Sequence, residues 1–351
     1  MTQDTIRVGV VGAGANTRDR HIPGLQAIEG VEIVAVCNRS QESGERVAER
    51  FGIERVCTNW QDVVQAEDVD AVVIGTWPYM HCEMTCAALQ AGKHVMCEAR
   101  MAMNPAEARL MLATAQAHPN LVAQIVPSPF TLRVDRTIQD LLADGYLGEL
   151  YTMTVRGTVP GFVNPEAPLT WRQRQDRSGL NILNMGIWYE AVIRWVGPAA
   201  NVFARSQILV PQRQDPEISA SFQVDVPDHV SIIADLARGG QATFEFSSVC
   251  GLAPDPGAWL FGSAGTLHYD QMSNKLFGGQ RNSPALQEID VAPEKAGSWR
   301  VEEEFIGAIR GQEEIVLTDF ATGVKYMEFT AAVHQSAASG QIVPVPAQAY
   351  G

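Results

Sequence analysis

One short segment constrains this chain more than any other: a run of apolar, mostly β-branched residues that ends in two glycines. Ile6 to Val11 has the composition of a buried strand, and Gly12 and Gly14 follow it before residues that can open a helix. The first glycine permits a tight turn, and the second lets backbone N–H groups approach a diphosphate at a helix N-terminus. Thr17 occupies the place of the usual third glycine. The segment predicts a dinucleotide site whose helix sits slightly farther from its strand.

The chain up to about residue 125 alternates short apolar runs with amphipathic stretches, which is typical of βαβ units. The predicted strands are Ile6 to Val11, Glu32 to Cys37, Ala71 to Gly75, His94 to Cys97 and Leu121 to Gln124. The predicted helices between them include Glu42 to Phe51, Met80 to Ala91 and Pro105 to Ala117. This order predicts a doubly wound parallel sheet, a Rossmann domain.

After one more helix at Arg133 to Ala143, the apolar period changes toward two near Leu150. The clearest element is His229 to Val249, which alternates around a glycine turn typical of a hairpin. Further helices are expected at Asn184 to Val196, Val301 to Ile309 and Phe320 to Ala338. We therefore expect a Rossmann domain over residues 1–126 and an α/β domain with a large, mostly antiparallel open sheet over residues 127–351. The last helix is expected to pack back on the first domain.

Composition excludes several classes of partner. With 40 acidic and 26 basic residues the net charge is −14, which opposes binding to nucleic acid. No apolar run approaches the roughly 18 residues that span a bilayer, so no membrane role is expected. Met1 to Asp4 lead directly into the first strand without a basic or apolar leader, which predicts a cytoplasmic protein. The six cysteines show no metal-ligand spacing, and no metal site is predicted.

The residues after the second strand bear on the choice of dinucleotide. An NAD site usually carries Asp or Glu there to hold the ribose 2′-hydroxyl. This chain has Asn38, Arg39 and Ser40 instead. A cation and a hydroxyl can contact a 2′-phosphate, so the sequence favours NADP over NAD.

The order of motifs resembles the glucose-fructose oxidoreductase, inositol dehydrogenase and rhizopine catabolism family. After the glycine turn, the matching segments are Thr76 to His81, Gly92 to Glu98, Leu147 to Glu149, Asn184 to Gly186, Gly262 to Leu267 and Glu304 to Ile309. The resemblance spans nearly the whole chain. It implies an N-terminal Rossmann domain, a C-terminal sheet that often forms dimers or tetramers, and sugar or polyol substrates.

Two departures from the family pattern affect its chemistry. Members typically read Glu-Lys-Pro after the fifth strand, where the lysine exchanges a proton beside the nicotinamide, but here Glu98 is followed by Ala99 and Arg100. Members also carry Asp and His four residues apart on a helix that faces the substrate, and here these positions are Asn184 and Trp188. Hydride transfer to or from a carbinol still needs a group that exchanges the hydroxyl proton.

Tyr189 is the first candidate for that role, with its pKa lowered by a cationic Arg100. Buried packing for the tyrosine and an ordinary ion pair for the arginine are the alternatives. The substrate is expected to contact Arg172, Asn184, Trp188 and Glu190, with the Trp188 ring as a stacking surface. The expected cofactor contacts are Gly12, Gly14, Ala15, Asn16, Asn38, Arg39, Ser40, Thr76, Trp77, His81 and Glu98. The resemblance implies that Glu98 contacts the nicotinamide ribose and that His81 supports the cofactor loop.

Three functions fit these residues. The leading one is an NAD(P)-dependent oxidoreductase acting on a sugar, glycoside or polyol. The second is a redox-neutral enzyme in which tightly bound cofactor transiently oxidises a ring hydroxyl, so that a glycoside is cleaved or a centre is epimerised. The third is a non-catalytic dinucleotide-binding protein.

Overall fold

The computed structural model describes residues 5–159 and 161–346, so the expectation drawn from Met1 to Asp4 falls outside the described residues. The chain divides into two compact units. The first comprises the residues up to Pro127 together with Arg300–Val324, and the second comprises Ser128–Trp299 and the residues from Lys325 onward. Residues 300–324, which the sequence placed with the second domain, belong to the first unit.

The first unit contains a parallel sheet of six strands. In chain order they are β1 (Ile6–Val11), β2 (Val31–Cys37), β3 (Arg55–Cys57), β4 (Ala71–Ile74), β5 (His94–Cys97) and β6 (Ala123–Ile125). Their spatial order is β3-β2-β1-β4-β5-β6, with every neighbouring pair parallel. All four residues of β4 are buried, as expected of a strand covered on both faces. The predicted doubly wound sheet is confirmed, and the sequence missed only the short β3.

Ten α-helices lie in the described residues. They are α1 (Ile22–Gln26), α2 (Gln41–Phe51), α3 (Trp60–Val64), α4 (Pro78–Gln90), α5 (Pro105–Ala117), α6 (Leu132–Ala143), α7 (Gln175–Ser178), α8 (Met185–Val196), α9 (Val301–Ile309) and α10 (Phe320–Ser339). Local sequence explains several ends. Asn104 caps α5 by accepting from the Glu107 N–H at 3.0 Å, and Gly52 ends α2 at a positive φ of 69°.

The second unit contains a nine-stranded mixed sheet. Its members are β7 (Leu150–Thr158), β8 (Ala199–Gln207), β11 (His229–Leu236), β12 (Gln241–Ser247), β13 (Gly257–Gly262), β14 (Gly265–Asp270), β15 (Lys275–Gln280), β16 (Gln287–Ile289) and β17 (Val343–Pro344). β9 (Gln212–Asp215) and β10 (Ala220–Gln223) form a separate pair. The large sheet has the order β16-β15-β14-β13-β7-β12-β11-β8-β17, and among its described strands only β7 and β12 pair in parallel. The predicted hairpin is β11–β12, and the mostly antiparallel sheet is confirmed.

One face of this large sheet is covered by helices. Residues of β11 alternate between buried and exposed, as a strand with one solvated face requires. On the buried face, the ring of Phe244 lies 5.6 Å from that of Phe329 in α10 and 6.2 Å from that of Tyr189 in α8. Aromatic contacts between two helices and the sheet therefore form this unit's core.

The opposite face of the large sheet is rich in accessible aromatic side chains. The Trp259 ring stacks on His268 at 3.7 Å, and Phe261 and Phe277 extend the row at 5.9 and 5.8 Å. Ile233 on the same sheet is 46% exposed. In the described part of the chain, no helix has the length and apolar character needed to cross a membrane.

Candidate functional site

The glycine turn after β1 has the geometry that a dinucleotide loop needs. Gly12 has a φ of +84°, and a Cβ atom there would lie 2.6 Å from the backbone nitrogen of Thr76, so a side chain does not fit. Around Gly14 the space is open, with Gly75 O the nearest atom to a Cβ at 3.5 Å. Asn38 steadies the turn because its Oδ1 accepts from the Ala13 N–H at 2.7 Å. The turn therefore leaves backbone accessible at Gly14.

The missing third glycine of the motif has a counterpart on the neighbouring strand. Thr17, which takes its place, is 1% exposed. A Cβ atom on Gly75, directly after β4, would lie 2.1 Å from the Thr17 hydroxyl oxygen. Because Gly75 has no side chain, the side chain of Thr17 fits between the helix and the strand. Residues Thr17–His21 form a single π-helical turn that leads into α1.

A cavity of about 590 Å³ opens at the carboxyl ends of β1, β2 and β4. Residues 11–14, 37–39 and 75–77 line it, together with the aromatic side chains of Trp60 and Tyr79. Six predicted cofactor residues lie in this lining, namely Gly12, Gly14, Asn38, Arg39, Thr76 and Trp77. The other five, Ala15, Asn16, Ser40, His81 and Glu98, do not line it. The crevice lies where the strand order reverses, the usual ligand position in an open α/β sheet.

The three residues after β2 have different surroundings. Asn38 uses its amide nitrogen to donate to the Ser43 hydroxyl at 3.0 Å, and Ser40 caps α2 by accepting from the Ser43 N–H at 3.3 Å. Arg39 is exposed, with its guanidinium 5.6 Å above the Trp77 ring. A contact between Ser40 and the cofactor would therefore compete with the capping of α2 by Ser40. Arg39 instead lies at the rim of the crevice with an exposed side chain.

His81 joins the segments that follow β4 and β5. The ring is fully buried, with Nδ1 2.9 Å from the Arg100 carbonyl and Nε2 3.1 Å from the Thr76 carbonyl. Burial lowers the pKa of His81, although the two carbonyls oppose that shift. The histidine thus holds together two loops at the carboxyl edge of the sheet. Arg100 itself is 4% exposed.

The sequence interpretation missed a buried cluster at the end of β5. His21 lies between two carboxylates, with Nδ1 2.5 Å from Glu302 Oε1 and Nε2 3.0 Å from Glu98 Oε1. Asn16 donates to the same Glu98 oxygen at 2.6 Å. Burial alone would lower the pKa of His21, but the hydrogen bonds to Glu302 and Glu98 outweigh it and raise the pKa to about 9. At neutral pH the ring is therefore a cation between two carboxylates.

The state of Glu98 follows from that cation. Burial would raise the pKa of this carboxyl, but hydrogen bonding and charge from His21 lower it. One signal for the cluster was available in the sequence, since Glu302 lies on the same helical face as Phe305 and Ile306. For His21, nothing in the pattern indicated burial.

In the second unit, Tyr189 does not have the surroundings of a proton carrier. Its ring stacks on Phe329 at 3.7 Å, and its hydroxyl accepts from the Ala199 N–H at 2.9 Å. Burial raises the pKa of Tyr189, so the expected lowering is wrong in direction. With 1% exposure, Tyr189 is a core residue of this unit.

Glu190 is likewise engaged within the second unit rather than open to a substrate. It is 2% exposed, accepts from the Ser128 N–H at 2.6 Å and forms an ion pair with Arg194. Arg194 also pairs with Asp135 at 2.7 Å, whose other oxygen accepts from the Trp195 indole. The structure corrects the prediction: this glutamate belongs to a buried ion-pair network.

Asn184 and Trp188 lie one turn apart at the start of α8. The Trp188 ring is fully buried, 5.3 Å from Phe130, so the expected stacking surface is not exposed. Among the described residues, however, neither Asn184 Oδ1 nor Trp188 Nε1 has a hydrogen-bond partner. An acceptor and a donor are thus left unpaired on one helical face, which is unusual for buried polar atoms.

The structure also locates Arg172, an expected substrate contact, and Lys93, the lysine that directly precedes β5. Arg172 is exposed and stacks its guanidinium 4.3 Å over the neighbouring Trp171 ring. Lys93 donates to the carbonyls of Ala66 and Val69 at 2.8 and 2.7 Å. The lysine therefore has a structural role at the opposite end of β5 and does not replace the missing Lys.

Comparison with known proteins agrees with this geometry. Residues 6–125 match the model for the oxidoreductase family with an NAD-binding Rossmann fold, GFO/IDH/MocA, and residues 136–268 match the C-terminal domain of the same family. The chain belongs to this family. As a member it is an oxidoreductase with an NAD-binding Rossmann fold.

Several relatives of this GFO/IDH/MocA protein have named activities. A dTDP-3,4-didehydro-2,6-dideoxy-α-D-glucose 3-reductase from Streptomyces antibioticus is 27% identical over 77% of each chain. A D-glucoside 3-dehydrogenase from Escherichia coli is 33% identical over 47% of this chain and 49% of its own. Levoglucosan dehydrogenase, solved with NADH and levoglucosan, superimposes with a TM-score of 0.84 at 20% identity, covering 98% of this chain and 100% of the other. The structural likeness supports the fold.

Proposed function

We propose that this oxidoreductase transfers a hydride between the nicotinamide of NAD(P) and a carbinol carbon of a sugar, glycoside or polyol. The observation that carries the proposal is the crevice beside the Gly12 turn. The backbone at Gly14 is accessible there, and the crevice lies at the point in the sheet where the strand order reverses. The named activities of the Streptomyces and Escherichia relatives support a sugar-like substrate. Bound cofactor supplies or accepts the hydride, and the protein positions the reactants.

We assign Arg39 as the group that makes this site prefer NADP. No carboxylate follows β2, and the side chains of Asn38 and Ser40 have intramolecular partners. The Arg39→Ala variant should lose most of the preference, measured as the ratio of the NADP and NAD dissociation constants by calorimetry. Arg46→Ala on α2 is the matched control, because Arg46 is exposed and pairs with Glu42. Equal affinities for NAD and NADP in the wild type would refute the assignment.

The buried His21 cluster and Arg100 are our candidates for work otherwise done by the missing lysine. His21 and Asn16 hold the Glu98 carboxylate ionised and oriented. In this state Glu98 would accept a hydrogen bond from a hydroxyl group of the cofactor ribose. When the hydride leaves the carbinol carbon, the hydroxyl proton must pass to solvent water, and a fixed cation beside the oxygen would stabilise the negative charge that develops there. Arg100 would supply that cation, since a guanidinium stays protonated. A loss of kcat in Arg100→Met with unchanged cofactor affinity supports this role, and an unchanged kcat contradicts it.

We propose that Asn184 contacts the sugar, beside the fully buried Trp188. Asn184 is half-buried, and a hydroxyl group of the sugar can donate to its unpaired oxygen. The variant Asn184→Leu should raise KM for the substrate at least about tenfold while cofactor affinity stays constant. An unchanged KM would leave the pair a packing feature and refute the proposal.

We also propose that a second copy of the chain covers the open face of the large sheet. That face carries the aromatic row from Trp259 to Phe277 and a groove of about 440 Å³ beside Phe203 and Ile233. An apolar patch of this kind on a charged protein is typical of an interface. Light scattering should show a dimer or tetramer, and Ile233→Glu should shift it toward monomer. A monomeric wild type would refute this.

The experiment to make first is mass spectrometry of the ligand released from freshly purified, denatured protein, followed by calorimetry with NAD and NADP. A protein that binds cofactor reversibly and reduces it with a sugar supports the proposal. Copurifying dinucleotide with no net cofactor reduction during turnover would show the redox-neutral cycle instead. Binding without any turnover on a broad sugar panel would indicate a non-catalytic protein.

A further inference from the structure

Three potential metal ligands converge on the open face of the large sheet in the second unit. His229 begins β11, Glu245 lies in β12, and Cys250 follows β12. One ligand atom from each residue lies within 4.8 Å of the others, and all three residues are half-buried. The spacing of these three residues along the chain matches none of the metal motifs considered in the sequence analysis.

The strand pairing explains how these side chains meet. In the β11–β12 register, His229 is opposite Ser247 and Ser231 is opposite Glu245. His229 and Glu245 are therefore diagonal neighbours on one face, a separation that long side chains bridge. The chain turns after Ser247 and brings Cys250 Sγ within 3.2 Å of the Ser247 hydroxyl. A rigid hairpin thus supplies two ligands and the following turn the third.

Two of the three potential ligands also have an outer hydrogen-bond partner. A ring nitrogen of His229 lies 3.2 Å from Ser231 Oγ, and Ser247 adjoins the thiol. Glu245 Oε2 accepts from Arg156 Nε at 3.4 Å, and an ion would compete with this positive charge. Metal ligands commonly have such partners, which orient the ligand and fix the tautomer. Glu245 keeps its second oxygen for an ion.

We propose that His229, Glu245 and Cys250 form a binding site for a borderline divalent transition metal of the zinc class. Imidazole, thiolate and carboxylate together select such ions over Mg²⁺ or Ca²⁺, which prefer oxygen. In a tetrahedral zinc site, ligand atoms are about 3.5 Å apart, as bond lengths near 2.0 to 2.3 Å require. A contraction of about 1 Å through side-chain rotation brings the three atoms to that spacing. The fourth position is left to water.

The test uses untagged full-length protein, reduced with a non-chelating phosphine and titrated with Zn²⁺ against a chromophoric chelator. We expect one high-affinity ion per chain. His229→Gln and Cys250→Ser should each weaken binding by more than the roughly tenfold typical of an outer-partner change. Co²⁺ should give a thiolate-to-metal charge-transfer band that Cys250→Ser abolishes. Circular dichroism confirms that each variant is folded, and Glu245→Gln gives a third, isosteric variant.

Two further variants separate this site from general surface binding. The double variant His118→Ala/Cys86→Ser removes an equally half-buried histidine and cysteine elsewhere and should leave binding unchanged. Arg156→Gln removes a positive charge beside Glu245 and should tighten binding severalfold. The proposal is overturned if the wild type binds no Zn²⁺ with high affinity, or if its affinity is the same in His229→Gln and Cys250→Ser.

Discussion

Replacing His21 by glutamine tests the charge state of the buried cluster. The pKa of His21 is raised to about 9, from an ordinary value near 6.5, by hydrogen bonds to Glu302 and Glu98. Because the folded-state pKa lies above the unfolded one, the stabilisation is complete below pH 6.5 and is lost as the pH rises through about 9. The full contribution is about 3 kcal/mol, since one pKa unit corresponds to about 1.4 kcal/mol.

The variant His21→Gln keeps a polar side chain but loses the cation. The difference in free energy of unfolding between wild type and variant should therefore depend on pH. We expect the wild type to be more stable by about 3 kcal/mol at pH 6, about 2 kcal/mol at pH 7.5 and less than about 0.5 kcal/mol at pH 9, apart from a constant offset. The assay is urea denaturation at these three pH values, followed by circular dichroism and tryptophan fluorescence.

His118→Gln is the control, because His118 is a half-buried histidine of the same unit that contacts only the Thr114 carbonyl among the hydrogen bonds described. The difference in free energy of unfolding between this control and the wild type should be small and nearly the same at all three pH values. If the difference in free energy of unfolding between wild type and His21→Gln stays the same from pH 6 to pH 9, the imidazolium between two carboxylates is refuted.

Three further outcomes follow from the contacts described. Tyr189→Phe should keep kcat within about twofold of wild type and lose about 1 to 3 kcal/mol of stability, since a buried backbone N–H loses its acceptor; a collapse of kcat with intact folding would restore Tyr189 as a catalytic residue. Glu190→Gln should lower the free energy of unfolding at neutral pH by about 2 kcal/mol, measured by urea denaturation, because Arg194 loses the negative charge of one of its two ion-pair partners among the described residues; an unchanged midpoint would contradict this. Gly75→Ala should weaken dinucleotide binding at least about tenfold in a calorimetric titration, because its Cβ collides with Thr17; normal affinity would show that the loop adapts.

The fold was largely predictable because its signals are local. Continuous β-branched runs such as Ala71–Ile74 belong to strands buried on both faces, and the Asn104 and Pro105 pair at the start of α5 is a strong helix-start signal. The glycine turn indicated its ligand class because Gly12 serves a geometry that few other residues adopt.

The site was less predictable because its side chains depend on partners far away in sequence. Tyr189 and Glu190 are next to an expected substrate position, but helical spacing alone did not show that one packs on Phe329 and the other pairs with Arg194. The His21 cluster requires Glu302 of α9. This helix lies late in the sequence, within residues 300–324, yet it belongs to the first unit. The wrong direction expected for the pKa of Tyr189 and the missed cluster at His21 have this same cause.

The central strand of the large sheet bears on how the nascent chain folds. β7 ends at Thr158, yet both of its hydrogen-bonded neighbours, β12 and β13, are made only later, the second ending at Gly262. At a translation rate of about 5 to 20 residues per second, roughly 5 to 20 s pass before both edges of β7 can be paired. Closing so long a loop is also slow by topology. The half-made protein is thus most exposed to aggregation and to chaperones while this strand, which later becomes the most sheltered part of the sheet, has no neighbour.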